Sequence, residues 1–497
     1  MKHKGEKIMK RFIALFIVVM LALTCVGCKR TEETTSVVTY TDETTVVENK
    51  DNSKDSSSSN SKVYSTVGSK DHTVKDPMNV NLKGETINIY TFPIFVDSLF
   101  NPNKSASKQA KAQAEMIEKL QKKLNCKINV KTATKENIQT QVSASAAAGK
   151  ALCDILCVPA YNCSYYVANK LVVSLSSIDT IDLSFDYMDR YKAASYSALG
   201  GNSYATSTGD FGITYGVFYN KRIMAEIGKD KDYPYSLVKS GEWNISKYSE
   251  LAKVATNSAK SQWGQVCIDP ENLASKGAMV SLGTSMLKLQ NGKLVYNMDN
   301  PQVLEAINAS YDYIIKQGTN YREVTSDADK IEFFANGKSL FFMSYVSNAA
   351  ELAGMDDDFG FVPLPKMDSA KNYSSAMAYN TSVFMILNGL SAERKKMAGA
   401  FIQAYNYSFD NVISVAKSEY TNRYLCDSQS ADNLILANSC QTLCPEDFYG
   451  QIGSIQQGTF YPVWNYFNKN EAPAKAIASS KSATVTGIKE LNEKYSK

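Results

Sequence analysis

The chain of 497 residues has only two histidines, His3 and His72, and both precede the first segment patterned like a core strand. Its folded part therefore offers no imidazole for a Ser-His-Asp or Cys-His relay, for His-ligated zinc or for acid/base work near neutral pH. A basic run is missing as well. Of 54 Lys and Arg and 50 Asp and Glu, five basic residues and one acidic residue fall within Met1–Gly27, so the remainder balances. Nucleic acid, whose phosphates demand such charge, is excluded as a partner. No G-x-x-x-x-G-K-[S/T] or G-x-G-x-x-G occurs, so the sequence carries neither of these phosphate-cradling nucleotide motifs. There is one long apolar run, no internal repeat and no heptad pattern. No cofactor or metal is expected.

The apolar run, Phe12 to Gly27, follows Lys10-Arg11 and has the basic, apolar and small-residue order of a secretory signal. It is shorter than the ~20 residues that span a bilayer. Its end, Cys25-Val-Gly-Cys28, resembles a bacterial lipobox, which makes Cys28 the lipidated first residue of a mature chain held on the outer face of the cytoplasmic membrane. From Lys29 to Val80 there is no Ile, Leu, Phe, Trp or Cys. Such a segment cannot bury enough apolar surface to offset its ordering entropy, and it reads as a tether with a random-coil reach of roughly 40 Å.

Core patterning begins at Glu85–Phe92, where Ile87 and Ile89 alternate and Pro93 ends the strand. A helix over 105–124, a strand over 127–131, an Ala-rich helix over 136–149 and a continuous apolar strand over 154–158 follow. This order predicts an α/β layer with a largely parallel sheet, whose ligands bind beyond the carboxyl ends of the strands. Further strands are expected at 212–220, 340–343, 359–362 and 382–387, and helices at 221–227, 247–259, 301–316, 391–405 and 481–493.

Several segments in this order carry a resemblance. Gly149 and Asp154-Ile155 resemble an "aaG..PDi" step. Tyr215-Gly-Val-Phe-Tyr-Asn-Lys-Arg-Ile-Met-Ala-Glu-Ile-Gly228 resembles "yYNk.lf.eaG", Gly241-Glu-Trp-Asn-Ile-Ser the "P.TWdEl" helix start, Phe334-Ala-Asn-Gly-Lys338 "f..GkaaM", and Asp358-Phe-Gly-Phe-Val-Pro-Leu-Pro365 "fgv.plP". Together, across about 85–495, they resemble the extracellular solute-binding proteins of bacterial ABC importers, of the sugar-binding, maltose-binding type. The resemblance implies a periplasmic-binding-protein-like bilobal clamp of two discontinuous α/β lobes joined by hinge strands. It implies a monomer that closes on a small solute and passes it to ABC permease subunits in the membrane. Crossings between lobes are expected near 203–210, 330 and 374–381. That divides the chain into signal 1–27, lipidated tether 28–82, first lobe 83–205 and 331–377, and second lobe 206–330 and 378–497.

A sugar presents an apolar ring face edged by hydroxyls, so its site needs aromatic platforms beside polar groups. Position relative to the strand ends and crossings selects Phe92, Phe95, Tyr161, Tyr345, Tyr379 and Trp464, with Asn272 and Asp210 as polar candidates. Trp464 resembles the family's stacking aromatic, whereas Trp243, in a helix start, is expected to pack. Eight cysteines remain after Cys25 and Cys28, and they read mainly as small buried hydrophobes, with disulfides and then metal ligation as the alternatives; Cys153 and Cys157 are too far apart along one strand to bond each other. The carboxylates Asp356-Asp357-Asp358 and Asp182, Asp186 and Asp189 could in principle support glycoside hydrolysis, but solvated turns account for them as well. A glycosidase, a surface polysaccharide-binding module and a clamp for a non-sugar solute stand as alternatives to a receptor without chemistry of its own.

Overall fold

A computed structural model describes residues 74–495 except 210, 378, 379 and 426. Cys28 and the segments expected to be signal and tether, up to residue 73, lie outside the described residues, as do the site candidates Asp210 and Tyr379. Among the described residues no helix is long and apolar enough to cross a membrane.

The first lobe starts with β1 (Thr86–Thr91), α1 (Lys108–Leu124), β2 (Lys127–Thr132), α2 (Lys135–Ala147) and β3 (Ile155–Pro159). Ser107 caps α1 by accepting from the Ala110 N–H, and Asn125, at φ 49°, ends it in the left-handed turn that Asn tolerates. Ile117, Leu120 and Leu124 share the buried face of α1. Strand β1 runs parallel to β2 and β3, with Ile89 beside both Val130 and Ile155. Every residue of β3 is buried, as its continuous apolar run requires of a strand covered on both faces. Ile155 and Cys157 face one core and Leu156 and Val158 the other.

The second lobe contains β4 (Tyr215–Asn220), α3 (Ile245–Ala255), β5 (Trp263–Cys267), α4 (Pro270–Ser281), a hairpin of β6 (Leu287–Gln290) and β7 (Lys293–Tyr296), α5 (Pro301–Tyr311), β8 (Ser339–Tyr345) and β9 (Phe359–Val362). Its sheet has the order β5-β8-β4-β9. Tyr215, Val217 and Tyr219 of β4 point into one core, and Phe218 into the other. Trp243 is fully buried against Tyr248 and Phe341 and donates its indole N–H to the Pro363 carbonyl at 2.7 Å, a packing role.

The chain then returns. Strand β10 (Ser375–Ala376) leads to β11 (Ser382–Ile386), which pairs antiparallel with β3 and completes the first sheet in the order β11-β3-β1-β2. Helix α6 (Ala392–Glu419) packs along α1, and its buried Glu419 accepts the Lys108 and Gln109 N–H groups that open α1. Helix α7 (Ser428–Ser439) lies on the second sheet, where Ser430 Oγ accepts from the Phe361 N–H. Then come β12 (Gln441–Thr442), paired with β10, and helices α8 (Pro445–Tyr449), α9 (Phe460–Lys469) and α10 (Pro473–Tyr495).

Two expected boundaries are corrected. Residue 330 is no crossing: it lies in the helix Asp327–Ala335, whose Phe334 stacks on Phe342 of β8 in the second lobe. Segment 331–377 therefore belongs largely to the second lobe, because β8 and β9 both pair with β4. Likewise 378–497 is not one second-lobe piece, since β11 and α6 build the first lobe. The outward crossing falls between Thr206, bonded both ways to Phe384, and Tyr215; the return lies between Val362 and Ser382. A third passage, at 420–427, takes the chain from α6 to α7.

The β6–β7 hairpin reaches out of the second lobe. Leu287 and Leu294 are buried in the first-lobe core, Gly200 N–H donates to the Gly292 carbonyl at 2.7 Å, and Leu294 is bonded by Asn492 of α10. Gly292, at φ 71°, has no room for a Cβ, which would come within 2.7 Å of the Gly201 nitrogen.

Candidate functional site

Between the lobes lies a cavity of about 270 Å³. Tyr161 enters it from the turn beyond the carboxyl end of β3, the position the parallel sheet reserves for ligands. Glu446 and Asp447 enter from α8, which the first lobe holds: Phe448 and Tyr449 are buried in its core, and the Tyr449 hydroxyl donates to the Ser197 carbonyl. Opposite them, Asn272 and Lys276 project from α4, whose Ala274, Ala278 and Met279 pack in the second-lobe core. Phe460, the first residue of α9, closes the same wall.

A buried ion pair spans the cavity wall. Lys276 Nζ lies 2.5 Å from Asp447 Oδ1 and also donates to the Met377 carbonyl at 3.2 Å; both charged side chains are 3% exposed. Asp447 Oδ2 accepts the Cys444 N–H at 2.7 Å. Burial works against the Lys276 ammonium, but Asp447 overrides it and raises its pKa, so the lysine stays charged. Glu446 accepts the Met286 and Leu287 N–H groups at 3.2 and 3.3 Å. Burial, and then the adjacent Asp447, push its carboxyl up to about 7. Asn272 is held by two bonds to the Asp269 carboxylate, at 2.8 and 2.9 Å. The cavity thus combines two aromatic side chains, Tyr161 and Phe460, with a fixed array of donors and acceptors.

Of the residues singled out from sequence, Tyr161 and Asn272 line this cavity; Trp464, Tyr345, Phe92 and Phe95 are not among its walls. Trp464 stands one helical turn after Phe460 on α9, half-buried, with Lys469 Nζ 5.2 Å from its ring centre. Tyr345 ends β8 and stacks on Tyr215 at 4.1 Å, the two hydroxyls hydrogen-bonded. Phe92 and Phe95 stack on each other at 6.3 Å beyond β1. Lys276, Glu446, Asp447 and Phe460 escaped the sequence reading. A signal existed: Glu446-Asp447 are the only charged residues between Asp432 and Lys469, and Lys276 the only one between Glu271 and Lys288. Isolated charges in such runs point to burial with a partner.

The conspicuous aspartates do not converge here. Asp357 is bonded by Arg222 and Asn220, Asp182 by Ser184 and Asp189 by Ser195. Cysteines 126, 153, 157, 163, 267, 440 and 444 are free, and all but Cys440 are buried. Burial pushes the Cys126 thiol up to about 11 and raises the others too. Among the described residues no group of three or more His, Cys, Asp or Glu could hold a metal ion.

Comparison with solved structures finds the same fold at low identity. A cyclo/maltodextrin-binding protein complexed with maltotetraose has a TM-score of 0.57 and 12% identity, covering 82% of this chain and 98% of its own. The cyclic alpha-maltosyl-1,6-maltose binding protein of Arthrobacter globiformis has a TM-score of 0.54 and 13% identity, over 82% and 99%. The GacH receptor of Streptomyces glaucescens, solved unliganded and with acarbose, has a TM-score of 0.53 and 13% identity, also over 82% and 99%. No curated protein sequence matches the chain. The family model for bacterial extracellular solute-binding proteins matches residues 115–423, more than half of the chain. With two α/β lobes around a walled cavity, the chain belongs to the bacterial extracellular solute-binding proteins.

Proposed function

We propose that the protein is the lipid-anchored receptor of an ABC importer and captures a mono- or oligosaccharide between its lobes for delivery to the permease. The observation that carries this reading is the cavity walled from both lobes, with Tyr161 and Phe460 as platforms and Asn272, Lys276, Glu446 and Asp447 as hydrogen-bonding groups. A solute touching both walls stabilises the closed arrangement by its differential contacts, and that closed form is what a permease can distinguish from the empty receptor. The lipid on Cys28 and the tether keep the receptor near the membrane, on its outer face, as a monomer. The sugar-binding proteins named above share the fold and give the reading its solute class.

Thermal shift of the full chain against sugars, amino acids, peptides and polyamines tests it. A solute present at a hundredfold its dissociation constant adds ~2.7 kcal/mol. A raised midpoint with one sugar class is expected; a shift only with another solute discards the carbohydrate assignment while keeping the clamp. Labelling with a clickable fatty acid tests the anchor: label is expected on the wild type and not on Cys28→Ala.

A further inference from the structure

Of the two carboxyl groups that line the cavity, only Asp447 has an ion-pair partner among the described residues. The Lys276 ammonium is engaged by Asp447 and by the Met377 carbonyl. Glu446 forms no ion pair among the described residues, and its two oxygens meet only backbone N–H groups at 3.2 and 3.3 Å. Yet it is deeply buried and lines the space a solute would fill. A carboxylate taken out of water without a counter-ion is costly, and the cost is recovered when a cation enters beside it.

We infer that the solute carries a protonated amine as well as hydroxyls, and that its ammonium group pairs with the Glu446 carboxylate. Combined with the sugar reading above, on which this inference rests, the solute class is an amino sugar. The cavity of about 270 Å³ lies just below the ~300–1,000 Å³ of sites for drug-sized ligands, which favours one or two rings over a long oligosaccharide. Anionic sugars, such as uronates and sugar phosphates, meet Glu446 as a repelling charge.

The titration of Glu446 agrees with this placement. Its carboxyl is held up at about 7 by burial and by Asp447, against the pull of Lys276. The other groups around it are the Cys444 thiol and the Tyr196 hydroxyl, both pushed up by burial and so neutral, while β6 offers it only backbone. An incoming ammonium favours the ionised carboxylate. Binding therefore releases a proton near neutral pH, and it tightens as pH rises through about 7 until the amine itself deprotonates.

Isothermal titration of the full chain with matched pairs tests the inference: glucosamine against glucose, galactosamine against galactose, mannosamine against mannose, with N-acetylglucosamine and spermidine alongside. At least one amine is expected to bind about tenfold or more tighter than its neutral partner, as a charge-assisted contact in place of a neutral one allows. Proton release is expected to accompany it at pH 7, and Glu446→Gln is expected to abolish the preference. Neutral sugars that bind as tightly as their amines overturn the ammonium contact and leave the sugar reading standing. Spermidine binding with no sugar bound supports the ammonium contact and sinks the sugar reading. No binding by any amine overturns the inference. Should Glu446→Gln fail to fold, the wild-type pairs and their pH profile decide alone.

Discussion

Replacing Lys276 with methionine is expected to destabilise the protein by ~3–5 kcal/mol, the usual cost of removing one partner of a buried ion pair. Methionine keeps most of the lysine stem, so packing against the α4 neighbours is largely retained and the lost charge dominates. What remains is Asp447, 3% exposed, with the Cys444 N–H as its remaining partner and Glu446 next to it in the chain. Two adjacent buried carboxylates without a cation cannot both ionise cheaply, so one binds a proton and the destabilisation grows as pH rises. The pair also joins α4 of the second lobe to α8 of the first, which makes the lobes easier to separate in the variant. Urea unfolding monitored by tyrosine and tryptophan fluorescence gives the stability, and small-angle scattering of the unliganded protein gives the lobe separation. The companion variant Lys276→Met/Asp447→Asn is expected to recover most of the loss, because it removes the unpaired buried charge while the Asn Oδ1 can still accept the Cys444 N–H. A single-variant cost below ~1 kcal/mol, or a double variant whose loss is the sum of the two singles, would refute the reasoning.

Stability is expected to fall as pH rises from about 4.5 to about 7, with a slope of up to ~1.4 kcal/mol per pH unit, because folding raises the Glu446 carboxyl from 4.5 to about 7 and the native state binds the extra proton in that window. Asp269, lifted to about 6 by burial and then by Glu271, acts in the same direction; midpoints in urea across that range check the slope, and Glu446→Gln is expected to flatten its upper part. Trp243→Phe is expected to cost ~1–3 kcal/mol, since it leaves the buried Pro363 carbonyl without its donor; an unchanged unfolding midpoint counts against that bond. A thiol titration in denaturant without reductant is expected to find at least the seven free cysteines described above, and fewer would mean a disulfide among them.

The elements of each lobe were legible in the sequence because each local pattern has one period. The alternation of Ile87 and Ile89 and the unbroken run of β3 mark strands, and α1 shows its helical face in Ile117, Leu120 and Leu124. Which sheet a strand joins is not a local property. Leu340 to Met343 and Val383 to Ile386 are equally apolar, yet β8 pairs with β4 and β11 with β3; the pairing is decided by partners more than a hundred residues away. The same limit applies to the site. Tyr161 was legible because it follows a buried parallel strand, and Asn272 lies in the helix after β5. Phe460 opens α9 and so meets the cavity wall, whereas Trp464, one turn further along the helix, does not line it; which aromatic reaches the wall depends on where α9 begins in the fold and not on its helical spacing. Lys276 and Glu446-Asp447, 170 residues apart along the chain, needed a different argument: a lone charge in an apolar run must find a counter-charge or a ligand once it is buried. Two of the three satisfy each other, and the third, Glu446, is left facing the cavity that the lobes enclose.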